Sequence, residues 1–338
     1  MKAAVFYGKE DLRILDVPVP EVGANDALIR VEACGVCGTD LHIFHGDPGA
    51  ADVPVGTIIG HEFSGTVVKT GASVTSVKAG DRVCVDPNRY CGTCDMCRRG
   101  LVHFCRNMIG YGTTVNGGFA EYATVDERQL YKLDDSVSFG RGAMAEPLAC
   151  CLNGINQLEI RHGSTVCVIG AGMIGLIMLQ LAKSAGAARV FVIEPVEARR
   201  LQAEKLGADA TFAPGAAEEL KKTQIDYIIE CAGRTETMVL ALDIIGNRGK
   251  VMLFGLTAPD DEMKVKPFSL FKKEVTIMTS FINPCTQPAA VALINAGRLD
   301  LESMAAVKIP LSELPAVLAD PVRRRAGKAV VFPQEGLE

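Results

Sequence analysis

The sequence contains no long apolar run, no long basic stretch and no internal repeat. A membrane-spanning helix needs about 20 apolar residues in succession, and residues 1–6 lack the length and cleavage pattern of a signal peptide. Proteins that bind nucleic acid usually present a basic face, whereas this chain has a formal net charge of −5. These absences argue against a membrane span and a nucleic-acid partner, and we expect a cytoplasmic protein.

The composition is that of a globular protein. Hydrophobic residues make up 48% and charged residues 22% of the 338 residues, which leaves little scope for extensive disorder. A chain of this length usually forms two domains. Its twelve cysteines, in a chain without a secretion signal, are more often metal ligands or reduced thiols than disulfide partners.

The two halves of the chain differ in their residue pattern. From Met1 to Leu148, short alternating segments are separated by glycines and prolines, which predicts a mainly β domain. From about Ser164, apolar strands alternate with helical patterns, as in parallel βαβ units. Six candidate strands in this half match a doubly wound dinucleotide-binding fold. They are Thr165–Ile169, Arg189–Ile193, Thr211–Phe212, Ile225–Glu230, Lys250–Phe254 and Val275–Thr279.

We therefore predict an α/β protein with two domains. Residues 1–148 form the mainly β domain, and residues 149–286 form the Rossmann-type domain. The tail at 287–338 contains a helix-like run and a terminal apolar strand, and we expect it to complete the first domain.

A glycine-rich turn follows the first strand of the second domain and opens a helix. In the segment Gly170-Ala171-Gly172-Met173-Ile174-Gly175, the first glycine permits the tight turn and Gly172 lets a pyrophosphate approach the backbone. Gly175 allows close packing of helix and strand, and the helix N-terminus holds the phosphates. The alternative is a glycine-rich turn in another kind of α/β protein.

The choice of dinucleotide depends on the end of the second strand. Glu194 lies about 20 residues after the glycines, where an acid accepts hydrogen bonds from the adenosine ribose hydroxyls, which favours NAD over NADP. Arg199 and Arg200 follow on the next helix and would meet a 2′-phosphate if Glu194 turned away.

Four closely spaced cysteines predict a metal lobe. Cys91, Cys94, Cys97 and Cys105 have the spacing C-x2-C-x2-C-x7-C. Four thiolates suit tetrahedral zinc and leave no open position, so this zinc would be structural. An iron–sulfur cluster and disulfides are the alternatives.

A second set of candidate ligands lies in the β domain. The segment Cys34-Gly35-Val36-Cys37-Gly38-Thr39-Asp40-Leu41-His42 and the motif Gly60-His61-Glu62 supply thiolate, imidazole and carboxylate groups. A catalytic zinc needs about three protein ligands and one open position. Taken singly, His61 or Cys37 would more often be a buried core residue.

With these motifs in this order, the chain resembles the medium-chain zinc-dependent dehydrogenase family over essentially its whole length. The resemblance implies a GroES-like β catalytic domain and a Rossmann-type cofactor domain, with Cys37 and His61 as ligands of the catalytic zinc. Members similar to sorbitol dehydrogenase complete the site with an acid, here Glu62 directly or Glu146 through water. Glu146 lies in Ala145-Glu146-Pro147-Leu148, a segment that resembles the polyol branch.

The resemblance also implies a proton relay. Thr39 corresponds to the hydroxyl that takes the substrate proton, and His42 would be the next group toward solvent. Histidine titrates near pH 6.5, which suits a relay at neutral pH. A merely exposed imidazole is the alternative for His42.

We expect a secondary alcohol substrate, and a polyol or sugar alcohol above other classes. The segment Ser280-Phe281-Ile282-Asn283-Pro284 stands where sorbitol dehydrogenases have an arginine and a tyrosine, and Ile282 replaces that arginine. The amide of Asn283 both donates and accepts hydrogen bonds, so we expect it to bind a diol.

Alternative substrates are threonine, vicinal diols and simple alcohols, and a non-catalytic zinc- and NAD-binding protein is the alternative outside enzymes. A zinc-free reductase of similar fold would normally lack both metal sets. The resemblance further implies a homodimer or homotetramer that uses the edge strand of the cofactor domain, near Lys264–Thr279.

Overall fold

A computed structural model describes residues 1–47, 52–304, 307–320 and 327–334. Parts of the predicted tail, at 305–306, 321–326 and 335–338, lie outside the described residues. The strands are β1 (Lys2–Gly8), β2 (Asp11–Asp16), β3 (Asp26–Gly35), β4 (Glu62–Thr70), β5 (Arg82–Val85), β6 (Asn88–Arg89), β7 (Ile109–Gly110), β8 (Tyr122–Asp126), β9 (Leu130–Lys132), β10 (Thr165–Ile169), β11 (Arg189–Ile193), β12 (Ala210–Phe212), β13 (Tyr227–Glu230), β14 (Lys250–Leu253), β15 (Thr276–Thr279), β16 (Val307–Pro310) and β17 (Ala329–Phe332).

The helices are mostly short. The α-helices are α1 (Gly38–Phe44), α2 (Asp95–Arg98), α3 (Phe139–Ala143), α4 (Ala145–Leu158), α5 (Met173–Ser184), α6 (Glu197–Lys205), α7 (Thr235–Ile244), α8 (Pro267–Lys273), α9 (Gln287–Asn295) and α10 (Leu314–Ala319). Short 3-10 helices occur at Val102–Phe104, Glu127–Gln129, Pro214–Lys222, Glu302–Met304 and Leu311–Glu313. In the part of the chain that the structure describes, every helix is too short or too polar to span a bilayer.

The contacts divide the chain into two compact units. The first unit comprises Met1–Ala149 and Asn283–Glu338, and the second comprises Cys150–Ile282.

The first unit is built on a mainly antiparallel sheet. Its strand order is β16-β17-β3-β4-β5-β9, and β8 also pairs with β3. Large side chains such as Phe63, Phe119 and Ile29 fill its core. The register sets Gly35 at the end of β3 opposite Glu62 at the start of β4, and β17 pairs with the same end of β3 through Val330. This register brings three separate parts of the sequence together at one end of the sheet.

The second unit is a six-stranded parallel sheet with the order β12-β11-β10-β13-β14-β15. All five residues of β10 are buried, as expected for a central strand covered on both faces. The chain proceeds from β10 to β12 on one side and then returns to β13 on the other side of β10. The switch point of the sheet therefore lies between β10 and β13, where doubly wound proteins bind ligands beyond the carboxyl ends of the strands.

Candidate active site and metal centres

Cys37, His61 and Glu62 form the first candidate metal site. Their ligand atoms lie within 4.8 Å of one another, and Cys37 Sγ is 2.9 Å from His61 Nε2. Cys37 is the N-cap of α1, where its sulfur accepts a hydrogen bond from the Thr39 N–H at 3.2 Å. The helix cap on one side and the start of β4 on the other therefore hold the thiol and the imidazole at this spacing.

Asp40 lies beside both of these residues. Its Oδ2 accepts a hydrogen bond from the Cys37 N–H at 2.9 Å and so completes a capping box at the start of α1. Its Oδ1 lies 3.5 Å from His61 Nδ1, and both side chains are buried. A carboxylate beside the second ring nitrogen orients a metal-binding histidine and sets its tautomer.

Lys328 is the charge partner of Glu62. The Lys328 ammonium contacts Glu62 Oε2, and the two side chains are 4% and 2% exposed. A Cβ at Gly35 would lie 2.1 Å from Glu62 Oε2, so a larger residue at this position would displace the pair. The pair places a cation at the wall of the site and competes with any metal for the same carboxylate.

The local charges favour a cation in this site. Burial alone would lower the pKa of His61, but the Cys37 sulfur and the Asp40 carboxylate raise that pKa well above its ordinary value. Asp40 Oδ1 and His61 Nδ1 are buried without a hydrogen bond. One thiolate, one imidazole and carboxylates with unused oxygens are a donor set that fits zinc.

Glu146 lies near the start of α4 and is buried. Among the described residues, the group within 4.8 Å comprises Cys37, His61 and Glu62 and does not include Glu146. The direct ligand in this arrangement would be Glu62, and a role of Glu146 at the metal stays a prediction.

The two predicted relay residues lie on or beside α1. Thr39 is half-buried, two residues after Cys37. His42 lies on the last turn of α1, is 31% exposed, and has its Nδ1 at 3.3 Å from Asp47 Oδ2. The structure thus adds an acidic partner for His42, but the relay itself stays a prediction.

The four cysteines of the predicted lobe come together as a second metal site. The ligand atoms of Cys91, Cys94, Cys97 and Cys105 lie within 4.8 Å of one another. Two of the Sγ–Sγ distances are 4.0 Å, close to the roughly 3.8 Å expected for tetrahedral zinc with bonds of about 2.3 Å. All four are free thiols, and a disulfide would need a separation of about 2.0 Å.

Backbone N–H groups prepare two of these sulfurs for metal binding. Hydrogen bonds from Thr93 and Cys94 lower the pKa of the Cys91 thiol, and that from Cys97 lowers the pKa of Cys94. Thiolates are the metal-binding form of cysteine. The lobe fits a structural zinc with all four positions filled by protein.

The predicted glycine loop connects β10 to α5. Gly170 has a φ of +96°, and a Cβ at Gly175 would lie 1.8 Å from the Gly170 carbonyl oxygen, so both positions require glycine. A Cβ at Gly172 would face open space, which leaves room for a ligand. The helix α5 begins immediately after Gly172, and Met173 and Ile174 lie in its first turn. This geometry fits the pyrophosphate of a dinucleotide.

Glu194 lies beside this loop, immediately after β11. Its Oε2 accepts a hydrogen bond from the Ala171 N–H at 2.8 Å, and its Oε1 accepts one from the Val196 N–H at 3.0 Å. Arg200 donates to the backbone carbonyls of Glu194 and Pro195, at 2.8 and 2.9 Å. Arg199 is half-buried on α6. Glu194 therefore points toward the glycine loop instead of turning away from it.

Two of the predicted substrate residues, Ile282 and Asn283, make defined contacts with other residues of the protein. Ile282 adopts a φ of +45°, unusual for a β-branched residue, and its carbonyl accepts a hydrogen bond from Asn153 at 3.0 Å. The buried Asn283 amide accepts from Asn88 at 2.7 Å and donates to Asp86 at 3.1 Å. It also lies 3.3 Å from Gln287 Oε1. These bonds use both amide hydrogens and one lone pair of the oxygen, and a diol contact of Asn283 stays a prediction.

Sequence patterns gave no reason to select Asp40 or Lys328. Asp40 is recognisable only as the N3 residue of a capping box whose N-cap is a cysteine. Lys328 belongs to no recognisable sequence motif. It reaches Glu62 through the pairing of β17 with β3.

Comparisons with known proteins agree with this geometry. Residues 23–135 match the family described as Alcohol dehydrogenase GroES-like domain, and residues 174–296 match the family described as Zinc-binding dehydrogenase. D-altritol 5-dehydrogenase of Agrobacterium fabrum is 33% identical over 93% of this chain and 94% of its own length. D-arabitol-phosphate dehydrogenase of Enterococcus avium is 34% identical over 90% and 89%.

Two further similarities bear on substrate and cofactor. L-threonine 3-dehydrogenase of Caldanaerobacter subterraneus is 31% identical over 97% of both chains. The solved structure of a zinc-binding dehydrogenase of Sinorhizobium meliloti 1021 bound to NADP superimposes with a TM-score of 0.94, at 35% identity over 98% of this chain and 99% of that one.

These matches confirm the resemblance and the fold class predicted from the sequence. Two metal-ligand groups in the first unit and a dinucleotide loop in the second unit account for the cofactors of such an enzyme. The chain belongs to the zinc-dependent medium-chain dehydrogenase family and is an oxidoreductase that uses zinc and a nicotinamide dinucleotide.

Proposed function

We propose that the protein oxidises a secondary hydroxyl of a polyol or sugar alcohol to a ketone, with NAD as the hydride acceptor. The observation that carries this proposal is the Cys37–His61–Glu62 group, whose third donor is an acid instead of a second cysteine. The sequence similarity to altritol and arabitol-phosphate dehydrogenases supports the substrate class.

Zinc held by Cys37 and His61 would act as a Lewis acid on the alcohol oxygen, and the nicotinamide would accept the hydride. Asp40 Oδ1, 3.5 Å from Nδ1, would orient the His61 ring toward the metal. Lys328 neutralises Glu62 when that carboxylate is not needed as a ligand.

The proton released from the alcohol needs a path to solvent. We assign its removal to the Thr39 hydroxyl and its transfer to His42, which is partly exposed. Asp47 Oδ2 lies 3.3 Å from His42 Nδ1 and orients the ring at the end of this path.

We assign NAD as the preferred dinucleotide. The Glu194 carboxylate is held by two backbone N–H groups beside the glycine loop, where it can accept ribose hydroxyl hydrogens and would repel a 2′-phosphate. Arg200 is engaged with backbone carbonyls of its own loop. Because a similar solved structure is bound to NADP, the kcat/KM values for NAD and NADP need to be compared directly.

We further propose a homodimer or homotetramer assembled through β15. This strand is at the edge of its sheet, and most of its residues are exposed. Phe268 and Phe271 on the preceding helix α8 are 74% and 78% exposed. Unpaired strand edges and exposed aromatic side chains are typical of surfaces that another chain covers. We also propose a cytoplasmic location, because twelve free thiols, five of them in the metal-ligand groups, suit a reducing compartment.

The test is a panel of initial rates of NAD reduction by the zinc-loaded protein with pentitols, hexitols, cyclitols, polyol phosphates, butanediol, threonine and short alcohols. We expect the highest kcat/KM for a polyol or its phosphate. A preference for threonine or butanediol would contradict the substrate class and keep the metal chemistry. No turnover with any alcohol would favour a non-catalytic zinc and dinucleotide binder.

A further inference from the structure

Glu230 is a buried carboxylate that the proposed chemistry does not use. It is the last residue of β13, and its side chain is fully buried. Burying a carboxylate is costly unless hydrogen bonds compensate it. The bonds that Glu230 makes therefore indicate what the position does.

The carboxylate organises the loop that follows it. Oε1 accepts hydrogen bonds from the Ala232 N–H at 2.8 Å, the Gly233 N–H at 3.0 Å and the Thr237 hydroxyl at 2.7 Å. Its backbone carbonyl accepts from the Gly255 N–H at 2.9 Å. The Glu230 side chain thus connects the loop after β13 to the start of α7. The Glu230 backbone carbonyl connects the end of β13 to the loop after β14.

Successive N–H groups in the Ala232–Gly233 loop form a small anion-binding concavity, because Gly233 has a φ of +67°. Glu230 fills that concavity with its own carboxylate. These N–H groups are therefore not available to bind a phosphate. We expect the phosphates of the dinucleotide at the N-terminus of α5 instead.

The loop lies at the switch point of the sheet. β13 is the direct neighbour of β10, and both strands end at the carboxyl edge where Gly170 begins the glycine loop. A Cβ at Gly170 would lie 3.1 Å from the Ala232 nitrogen, so the two loops touch. Any shift of Ala232 changes the wall against which a dinucleotide lies.

We infer that Glu230 is a positioning residue for the nicotinamide dinucleotide, acting through the Ala232–Gly233 loop that it holds against the glycine motif. This inference rests on dinucleotide binding and is independent of the substrate class proposed above. Glu230 acts on the cofactor site without touching the reacting atoms.

Asp226 provides a matched control at the other end of the same strands. Its carboxylate accepts a hydrogen bond from the Thr165 N–H at 2.9 Å, at the amino ends of β13 and β10. Asp226→Asn and Glu230→Gln therefore each remove one charge that holds backbone N–H groups in this sheet, but only Glu230 lies at the dinucleotide edge.

The experiment measures the Kd of NADH by fluorescence titration in the zinc-loaded wild-type, Glu230→Gln and Asp226→Asn proteins. The Gly233 N–H also approaches Oε2 at 3.3 Å, where the NH2 of a glutamine cannot accept it. We therefore expect the Kd to rise about tenfold or more in Glu230→Gln and less than about twofold in Asp226→Asn. The KM for the alcohol and the zinc content should stay unchanged in both variants.

A Kd in Glu230→Gln within twofold of wild type would overturn the inference, as would an equal loss of affinity in Asp226→Asn. If Glu230→Gln does not fold, Thr237→Val decides, since it removes only the hydroxyl that donates to Glu230. A severalfold rise in its Kd supports the inference, and an unchanged Kd overturns it. A wild-type protein that binds NADH but oxidises no polyol would remove only the proposed substrate class.

Discussion

Lys328 and Glu62 form a buried ion pair between two strands that are far apart in the sequence. The contact exists because β17 and β4 both pair with β3 near Gly35. Glu62 therefore has two candidate partners, the ammonium and a metal. How the carboxylate is shared between them determines the charge of the site.

Lys328→Met tests this competition. Removing one partner of a buried ion pair typically costs about 3–5 kcal/mol, because the other charge stays buried and unpaired. We expect a loss of this size in the metal-free protein and a smaller loss with zinc bound, since the metal can then neutralise Glu62. Thermal unfolding with and without zinc measures both values. Lys308→Met, at an exposed position of β16, is the control; equal losses with and without zinc would contradict the competition.

Asp40→Asn tests the support of the metal-binding histidine. The amide can still accept the hydrogen bond from the Cys37 N–H, so the cap of α1 is kept while the charge beside His61 is lost. Residues that orient metal ligands in this way typically contribute about 10- to 100-fold to metal affinity. Competition with a chelator should show weaker zinc binding by that factor at one of the two sites. Unchanged affinity at both sites would show that Asp40 only caps the helix.

Glu194→Gln tests the choice of dinucleotide. Without the negative charge beside the glycine loop, a 2′-phosphate is no longer repelled and ribose hydroxyls lose a strong acceptor. We expect the ratio of kcat/KM for NADP to that for NAD to rise about tenfold. Glu197→Gln, an exposed residue on α6, is the control and should leave the ratio unchanged. A constant ratio in Glu194→Gln would remove its ribose role.

Asp86 predicts a pH dependence of stability. Burial raises its pKa to about 6, against about 3.9 in the unfolded chain. Between these two pKa values the folded state holds a proton that the unfolded chain has released. The contribution of Asp86 to the free energy of unfolding is therefore greatest below about pH 4. It falls by about 3 kcal/mol as the pH rises to 6 and above, with about half of the change between pH 5 and pH 8.

The free energies of unfolding of the wild-type and Asp86→Asn proteins at pH 5 and pH 8 check this sign. We expect the wild type to lose stability relative to the variant as the pH rises. A difference that is the same at both pH values would show that Asp86 titrates normally.

Local patterns predicted the parts of the molecule that depend on nearby residues. The bounds of β10 and β11 agree with the apolar runs Thr165–Ile169 and Arg189–Ile193, because a buried parallel strand is a continuous apolar segment. The four-cysteine lobe is equally local. Its spacing within one short loop and helix is enough to bring the sulfurs together.

Contacts between residues that are far apart in the sequence could not be predicted from local patterns. The hydrogen bonds of Asn283 could not be predicted because its partners, Asn88 and Asp86, precede it by 195 and 197 positions. Lys328 could not be selected for the same reason. Its position beside Glu62 depends on the register of β17, which no short-range pattern specifies.

The most direct test of the account compares polyol oxidation by the wild-type, Cys37→Ala and Cys94→Ala proteins at known zinc content. We expect two zinc ions per chain in the wild type and one in each variant. Cys37→Ala should keep its fold and lose activity by roughly a thousandfold or more, because the alcohol oxygen is no longer polarised. Cys94→Ala should mainly lose stability. Full activity in Cys37→Ala with one zinc bound would contradict the assignment of Cys37 to a catalytic metal.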